Sequence, residues 1–281
     1  MASFDLATLA RRRRNIRRKI IVLRDIVPTT IMATNLYTIY ARMLSAWDAA
    51  LPRIISTYER TLSEMTTDSP TDVAQEVEDA GSAINRLLLI LTPEVRDWAI
   101  GVEQWQRSKW ISTVLSGTGV DLSTFIGASD ARMTLETAIN WNVSLISNVS
   151  QQAQQRISNA VFDGLRNNNP PRELAKDLRE AVTMGRDQAM RRASDQLNKL
   201  SASLADERRR QAGLPVWKWV HSRKLHPRQT HIDRDGHLYS DDPELVGKVV
   251  DGKTIMAPPK DLPGQLPYCG CRSQSVLVFF N

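Results

Sequence analysis

Apolar residues recur at steps of three and four along most of this chain, and that period predicts helix after helix. The longest run covers residues 29–66, where Leu36, Tyr40, Met43, Trp47, Leu51, Ile54, Tyr58, Leu62 and Met65 share one face. Pro52 falls inside it and predicts a bend. A first helix is expected over 4–27, closed by Pro28. Ser69-Pro70 and Thr92-Pro93 each set a capping residue before a proline, which predicts helices over 70–91 and 93–116. Gly117, Gly119 and Gly127 mark a loop around 117–129. The next helix carries Leu135, Ile139, Val143, Ile146, Val149, Ala153, Ile157 and Val161 on one face. Asn140, Asn142, Ser147, Asn148, Gln151, Gln152 and Gln154 form the expected polar face. Two further helices are predicted over 171–182 and 184–212, the second stopped by Gly213.

The texture changes after Leu214. Val216, Trp217, Trp219 and Val220 read as a strand, and Ser275–Phe280 as a closing strand, with Gly and Pro frequent between them. The expected fold class is mainly α: an elongated multi-helix body followed by a small α+β C-terminal domain. The expected division is 1–130, an N-terminal helical region with a basic first helix; 131–213, a helical docking region; and 214–281, the small β-containing domain. Trp98, Trp105 and Trp110, on one predicted helix, read as core residues.

Composition supports helix: hydrophobic residues make up 42% and aromatic residues only 6%. The net charge of +6 conceals an uneven distribution. Residues 11–24 hold eight Arg or Lys and no acid, residues 186–228 hold eleven against four acids, and residues 25–185 carry a net charge of −6. Two positive blocks flank a mildly acidic middle, a pattern suited to a polyanion or an acidic protein face as well as to a solvated helix surface. The candidate contacts are Arg11, Arg12, Arg13, Arg14, Arg17, Arg18 and Lys19, with Arg208, Arg209 and Arg210. Double-stranded DNA bound this way would be held by its backbone, because no sequence-reading motif is present. No signal peptide and no membrane-length apolar run is visible.

All four histidines lie between 221 and 237, and both cysteines, Cys269 and Cys271, are separated by one residue. That spacing is poor for a mutual disulfide and points to a reducing site of folding. Imidazole and thiolate are zinc donors, and a small domain gains from a staple. The candidate ligands are His231, Cys269 and Cys271 with one further histidine, His226, and zinc is the implied cofactor. The alternative is a hydrogen-bonded histidine cluster beside two buried thiols. Catalytic readings of residues 221–271 are a Cys hydrolase built on Cys269 and a histidine, or a metal-dependent nuclease built on His231 with Asp233 and Asp235. No phosphate loop, nucleophile elbow or zinc-protease motif accompanies them, so a non-enzyme is expected.

One ordered set of motifs carries a resemblance. Trp217-Lys218-Trp219, then His226-Pro227-Arg228-Gln229-Thr230-His231, then Asp235-Gly236 resembles the core of the Mu F-like phage head morphogenesis domain. Ala257-Pro258-Pro259 and Leu266-Pro267-Tyr268-Cys269-Gly270-Cys271-Arg272 resemble its closing element, and residues 192–200 are similar to the helix before it. The helix through Asn142, Leu145 and Ile146 also looks family-like, so the likeness covers roughly 135–281. The family-motif residues are Trp219, Arg228, His231, Gly236, Cys269, Cys271 and Arg272; His226 stands where many relatives have an acidic residue. The resemblance implies a minor capsid protein of a tailed bacteriophage, present in few copies in the virion. It would sit near the portal vertex, with portal protein, major capsid protein and DNA as partners and no membrane. Its implied roles are head assembly and DNA packaging or ejection after assembly in the bacterial cytoplasm. Some relatives carry a fused toxin or enzyme; none is expected after the closing strand here.

Overall fold

The computed structural model describes residues 4–13, 18–64, 70–225 and 227–279. Its fold is mainly α with a small β part. The described helices are α1 (Leu6–Arg13), α2 (Thr30–Ser63), α3 (Pro70–Asn85), α4 (Leu88–Thr118), α5 (Arg132–Asn167), α6 (Pro171–Gln211) and α7 (Gln229–Asp233). The described strands are β1 (Ile20–Val22), β2 (Val216–Val220), β3 (Leu238–Ser240), β4 (Val249–Val250), β5 (Lys253–Met256) and β6 (Arg272–Val278). They group into two compact units, each discontinuous in sequence. One comprises Thr30–Trp98 and Ala138–Ser194; the other comprises Met1–Thr29, Ala99–Thr137 and Asp195–Asn281.

The first unit is helical. The apolar stripe of α2 is buried from Leu36 to Tyr58, and α2 runs through Pro52 without ending. Ile139, Ile146, Val149, Ala153, Ile157 and Val161 of α5 are buried as the period predicts. Asn142 differs from expectation: it is 1% exposed and belongs to the core, not to the polar face. Its Oδ1 accepts from the Tyr40 hydroxyl at 2.7 Å, and Trp47 Nε1 donates to Ser150 Oγ at 3.0 Å. Buried polar groups tolerate one partner geometry, so these two bonds fix the register of α2 against α5. Trp98 of α4 donates to the Met32 carbonyl at 2.8 Å.

Two expected helix breaks are absent. Residues 171–211 form one helix, α6, where the sequence predicts a break near 183. Gly185 lies inside it, and a Cβ there would stand 2.8 Å from Leu44 Cδ2. The glycine therefore serves close approach to α2 and does not end the helix. Likewise, the break before α4 falls at residues 86–87, and Pro93 sits inside the helix. Pro93 is the sixth residue of α4, so it leaves the Leu89 carbonyl without its helical N–H, and the helix continues past that one missing bond.

The second unit holds a six-stranded sheet in the order β1-β6-β2-β3-β5-β4, antiparallel except for the β3–β5 pair. The expected 4–27 helix is corrected here: α1 ends at Arg13, and Ile20–Val22 is an edge strand paired with Val276–Val278. Leu6, Ala10 and Leu23 pack with Trp110, Val114, Leu214, Leu277 and Phe279 in one cluster. Trp110 is thus core as expected, while Trp105 is only half-buried. Gly213 ends α6 at φ +63°, with Leu214 N–H donating to the Arg209 carbonyl and Gly213 N–H to the Arg210 carbonyl. This is a left-handed helix stop that turns the chain directly into β2.

The α6 terminus also changes the reading of its arginines. Arg208 is 0% exposed and pairs with Glu103, itself 1% exposed; Arg208 also donates to Gln211 Oε1 at 2.9 Å. Burial pushes the Arg208 guanidinium down from its ordinary pKa, against the opposing pull of Glu103. Arg209 is 5% exposed, pairs with Asp241 at 3.0 Å and lies over the Trp217 ring. Neither is placed to meet a polyanion. Arg210 is exposed and pairs with Glu207 at 2.9 Å.

Candidate metal centre

β2 is the scaffold of the site. Strand alternation sends Val216 to one side of the sheet, where it packs with Leu238, Val250, Ile255 and Val276. Trp217 and Trp219 go to the other, where they pack with Tyr239, Cys269 and Cys271. The Trp217 and Tyr239 rings stack at 4.8 Å. Gly236, at φ +79°, lets the chain after α7 turn back so that its N–H donates to the Trp219 carbonyl at 2.9 Å.

α7 is a single short helix, and it carries His231 inward, 2% exposed, edge-on to the Trp219 ring at 5.1 Å. Arg228 precedes α7 and donates to the Pro267 carbonyl at 3.0 Å, tying the helix to the closing loop. That loop is held tightly. Tyr268 has φ +60°, an unfavourable conformation for a side-chain-bearing residue, and its N–H donates to Asp195 Oδ1 at 2.6 Å. Lys224 Nζ donates to the Tyr268 carbonyl at 3.0 Å. Arg272 pairs with Asp25 at 2.7 Å, which anchors the segment after β1 to the start of β6.

The result is one buried cluster. His231 Nδ1 lies 3.5 Å from Cys269 Sγ and 3.6 Å from Cys271 Sγ, and both cysteines are 3% exposed. The three donor atoms all lie within 4.8 Å of one another. On the far side of the ring, His231 Nε2–H donates to Asp261 Oδ2 at 2.9 Å. A carboxylate accepts only, so a proton sits on Nε2, and Nδ1 is the ring nitrogen that faces the two sulfurs. Arg234 donates to Asp261 Oδ1 at 2.9 Å and lies over the Trp219 ring at 5.1 Å. The Arg234 hydrogen bond, assisted by the one from His231, lowers the Asp261 carboxyl to about 2 despite its partial burial. The Cys271 thiol donates to Cys269, so Cys269 is held well below the ordinary thiol range while Cys271 is pushed up. Backbone N–H groups of Cys271 and Gly264 also point at Cys269, and that of Ser222 at Cys271.

Of the predicted ligands, the fold therefore brings His231, Cys269 and Cys271 together. His226 lies outside the described residues, as do Arg14 and Arg17. His221 is half-buried and its Nδ1 accepts from the Arg223 N–H at 3.2 Å; His237 is exposed. Asp233 and Asp235 do not join His231: they accept from Gln229 and from the His221 N–H. The nuclease arrangement of His231 with these two carboxylates is thus not formed. Asp261 and Arg234 were missed by sequence reasoning. Asp261 is thirty residues from His231, and no local spacing marks it. Arg11, Arg12, Arg13, Arg18 and Lys19 are exposed, and Arg11 lies over the Phe279 ring at 5.4 Å.

Comparison with known proteins bears on the same region. Residues 155–274 match the family described as Phage Mu protein F like protein. An uncharacterized protein of Haemophilus influenzae is 28% identical over 131 residues, 46% of this chain. The match spans 29% of that protein's length. No solved structure matches the chain.

Proposed function

We propose, from the premise that residues 155–274 belong to the family of phage Mu protein F-like proteins, that this chain is a minor component of a tailed-phage head. It acts in head morphogenesis, docked to the portal or the inner capsid face and touching DNA during packaging or ejection. The family match carries the reading. It is supported by four of the motif residues, which belong to the packed interior beside the C-terminal sheet: Trp219, His231, Cys269 and Cys271 are each at most 3% exposed. No described helix is long and apolar enough to cross a membrane.

Cys269, His231 and Asp261 do line up as a nucleophile, base and orienting carboxylate would. A nucleophile must reach its substrate, however, and this thiol and imidazole are buried. Two sulfurs equally distant from Nδ1 also suit a shared ligand better than one attacking atom. A structural role is therefore the favoured reading.

Contact with DNA would fall to the exposed Arg11, Arg12 and Arg13 of α1, with Arg18 and Lys19 beyond it. The test uses an affinity-tagged chain expressed during phage growth. It is expected to capture portal or major capsid protein and to bind duplex DNA without sequence preference. Replacing Arg11, Arg12 and Arg13 by Glu should flatten the dependence of log affinity on log salt, by about 0.9 for each phosphate no longer neutralised. Capture of neither head protein, with normal expression and folding, contradicts the assembly reading. An unchanged salt slope removes α1 from the DNA interface.

A further inference from the structure

We propose that His231, Cys269 and Cys271 together bind a zinc ion, the histidine through Nδ1 and the cysteines through Sγ. The inference is independent of the head-protein reading and rests on the geometry of the cluster. Zinc holds thiolate sulfur at about 2.3 Å and imidazole nitrogen at about 2.0 Å in tetrahedral sites, which sets neighbouring S and N donors about 3.5 Å apart. The observed separations from Nδ1 are 3.5 and 3.6 Å. The donor spacing is therefore that of two edges of a zinc tetrahedron.

Three further features fit. First, the ring is oriented for ligation: Nε2–H donates to Asp261, which leaves Nδ1 as the nitrogen turned towards the sulfurs. A carboxylate behind a metal-bound imidazole orients the ring and raises its basicity, and Arg234 in turn holds that carboxylate. Second, backbone N–H groups of Cys271 and Gly264 approach Cys269, and that of Ser222 approaches Cys271, so each sulfur has a donor beside it that can hydrogen-bond a metal-bound thiolate. Third, the donor set is soft. Two sulfurs and an imidazole select zinc over magnesium or calcium, which take oxygen ligands. The ion would link α7 to the loop before β6, adding to the Arg228–Pro267 and His231–Asp261 hydrogen bonds that already join them.

The full-length chain, purified under reducing conditions without chelator, is expected to carry about one zinc per molecule by elemental analysis. After stripping, cobalt(II) should give thiolate-to-cobalt charge-transfer absorption that zinc abolishes. Asp261→Asn should weaken zinc about 10- to 100-fold in competition with a chromogenic chelator, with the circular dichroism of the native fold retained. Chelator should also accelerate alkylation of both cysteines in the unaltered chain, whereas a catalytic thiolate would alkylate at one cysteine regardless of chelator. Absence of the charge-transfer band in reduced, folded chain overturns the site, and so does zinc binding undiminished in Cys269→Ser.

Discussion

Glu103→Gln is expected to destabilise the sheet-containing unit by about 3–5 kcal/mol, among the largest effects of any single substitution in the chain. Arg208 is 0% exposed and Glu103 1% exposed, so neither charge has water to fall back on. Removing the carboxylate charge leaves a guanidinium buried among Gln211, Arg107 and the end of α6. Arg107 Nε also reaches Glu103, at 3.4 Å, so a second cation loses its partner, and Asp130 is left as the carboxylate acting on Arg208. The companion experiment is the pair Glu103→Leu with Arg208→Met. Removing both charges at once should recover most of the loss, because replacing a whole buried ion pair by apolar volume is often neutral. Denaturant unfolding followed by tryptophan fluorescence reads both variants. A loss below about 1 kcal/mol for Glu103→Gln, the range of exposed pairs, would falsify the buried placement of this pair.

Trp219→Ala should cost about 3–5 kcal/mol as well, for a different reason. Trp219 is 0% exposed on a strand paired on both sides. Its ring is the wall against which His231 stands edge-on, and it supports the Arg234 guanidinium that holds Asp261. The cavity therefore opens beside the cluster and loosens the imidazole together with the core. Trp141→Ala is the control: that side chain is 56% exposed, and its loss should fall within about 0.5 kcal/mol. Equal losses for the two variants would show that Trp219 does not have the packing described.

The long helices and the central strands were legible in the sequence because each is decided by local pattern. The α2 stripe and β2 followed from periods of about 3.6 and 2 residues. Ile20–Val22 was not legible. Its apolar run suits a helix equally well, and only pairing with Val276–Val278, at the other end of the chain, makes it a strand. Pro93 misled for a related reason, since a proline after a capping residue is read as a helix start unless the surrounding helix is known. One local signal went unused. Asp251-Gly252, both at positive φ between β4 and β5, is the tight-hairpin dipeptide.

The site divides in the same way. His231, Cys269 and Cys271 could be named from residue type alone, because few side chains share their chemistry. Asp261 and Arg234 could not, since a carboxylate becomes an orienting group only through a fold that sets it 2.9 Å from the ring. Charge misled most. Arg208, Arg209 and Arg210 look alike in sequence, yet two are buried in ion pairs and only Arg210 faces solvent. Clustering of basic residues reports a surface only where the helix exposes it, as α1 does for Arg11, Arg12 and Arg13.

The central claim, that this chain is a minor head component, is tested most directly by counting it in purified heads. Quantitative mass spectrometry of proheads and mature particles, from the phage or prophage that encodes the chain, should find a few copies per particle. Those copies should resist added protease until the head is opened. Its absence from proheads and mature heads alike, in cells that express it stably, would contradict the account.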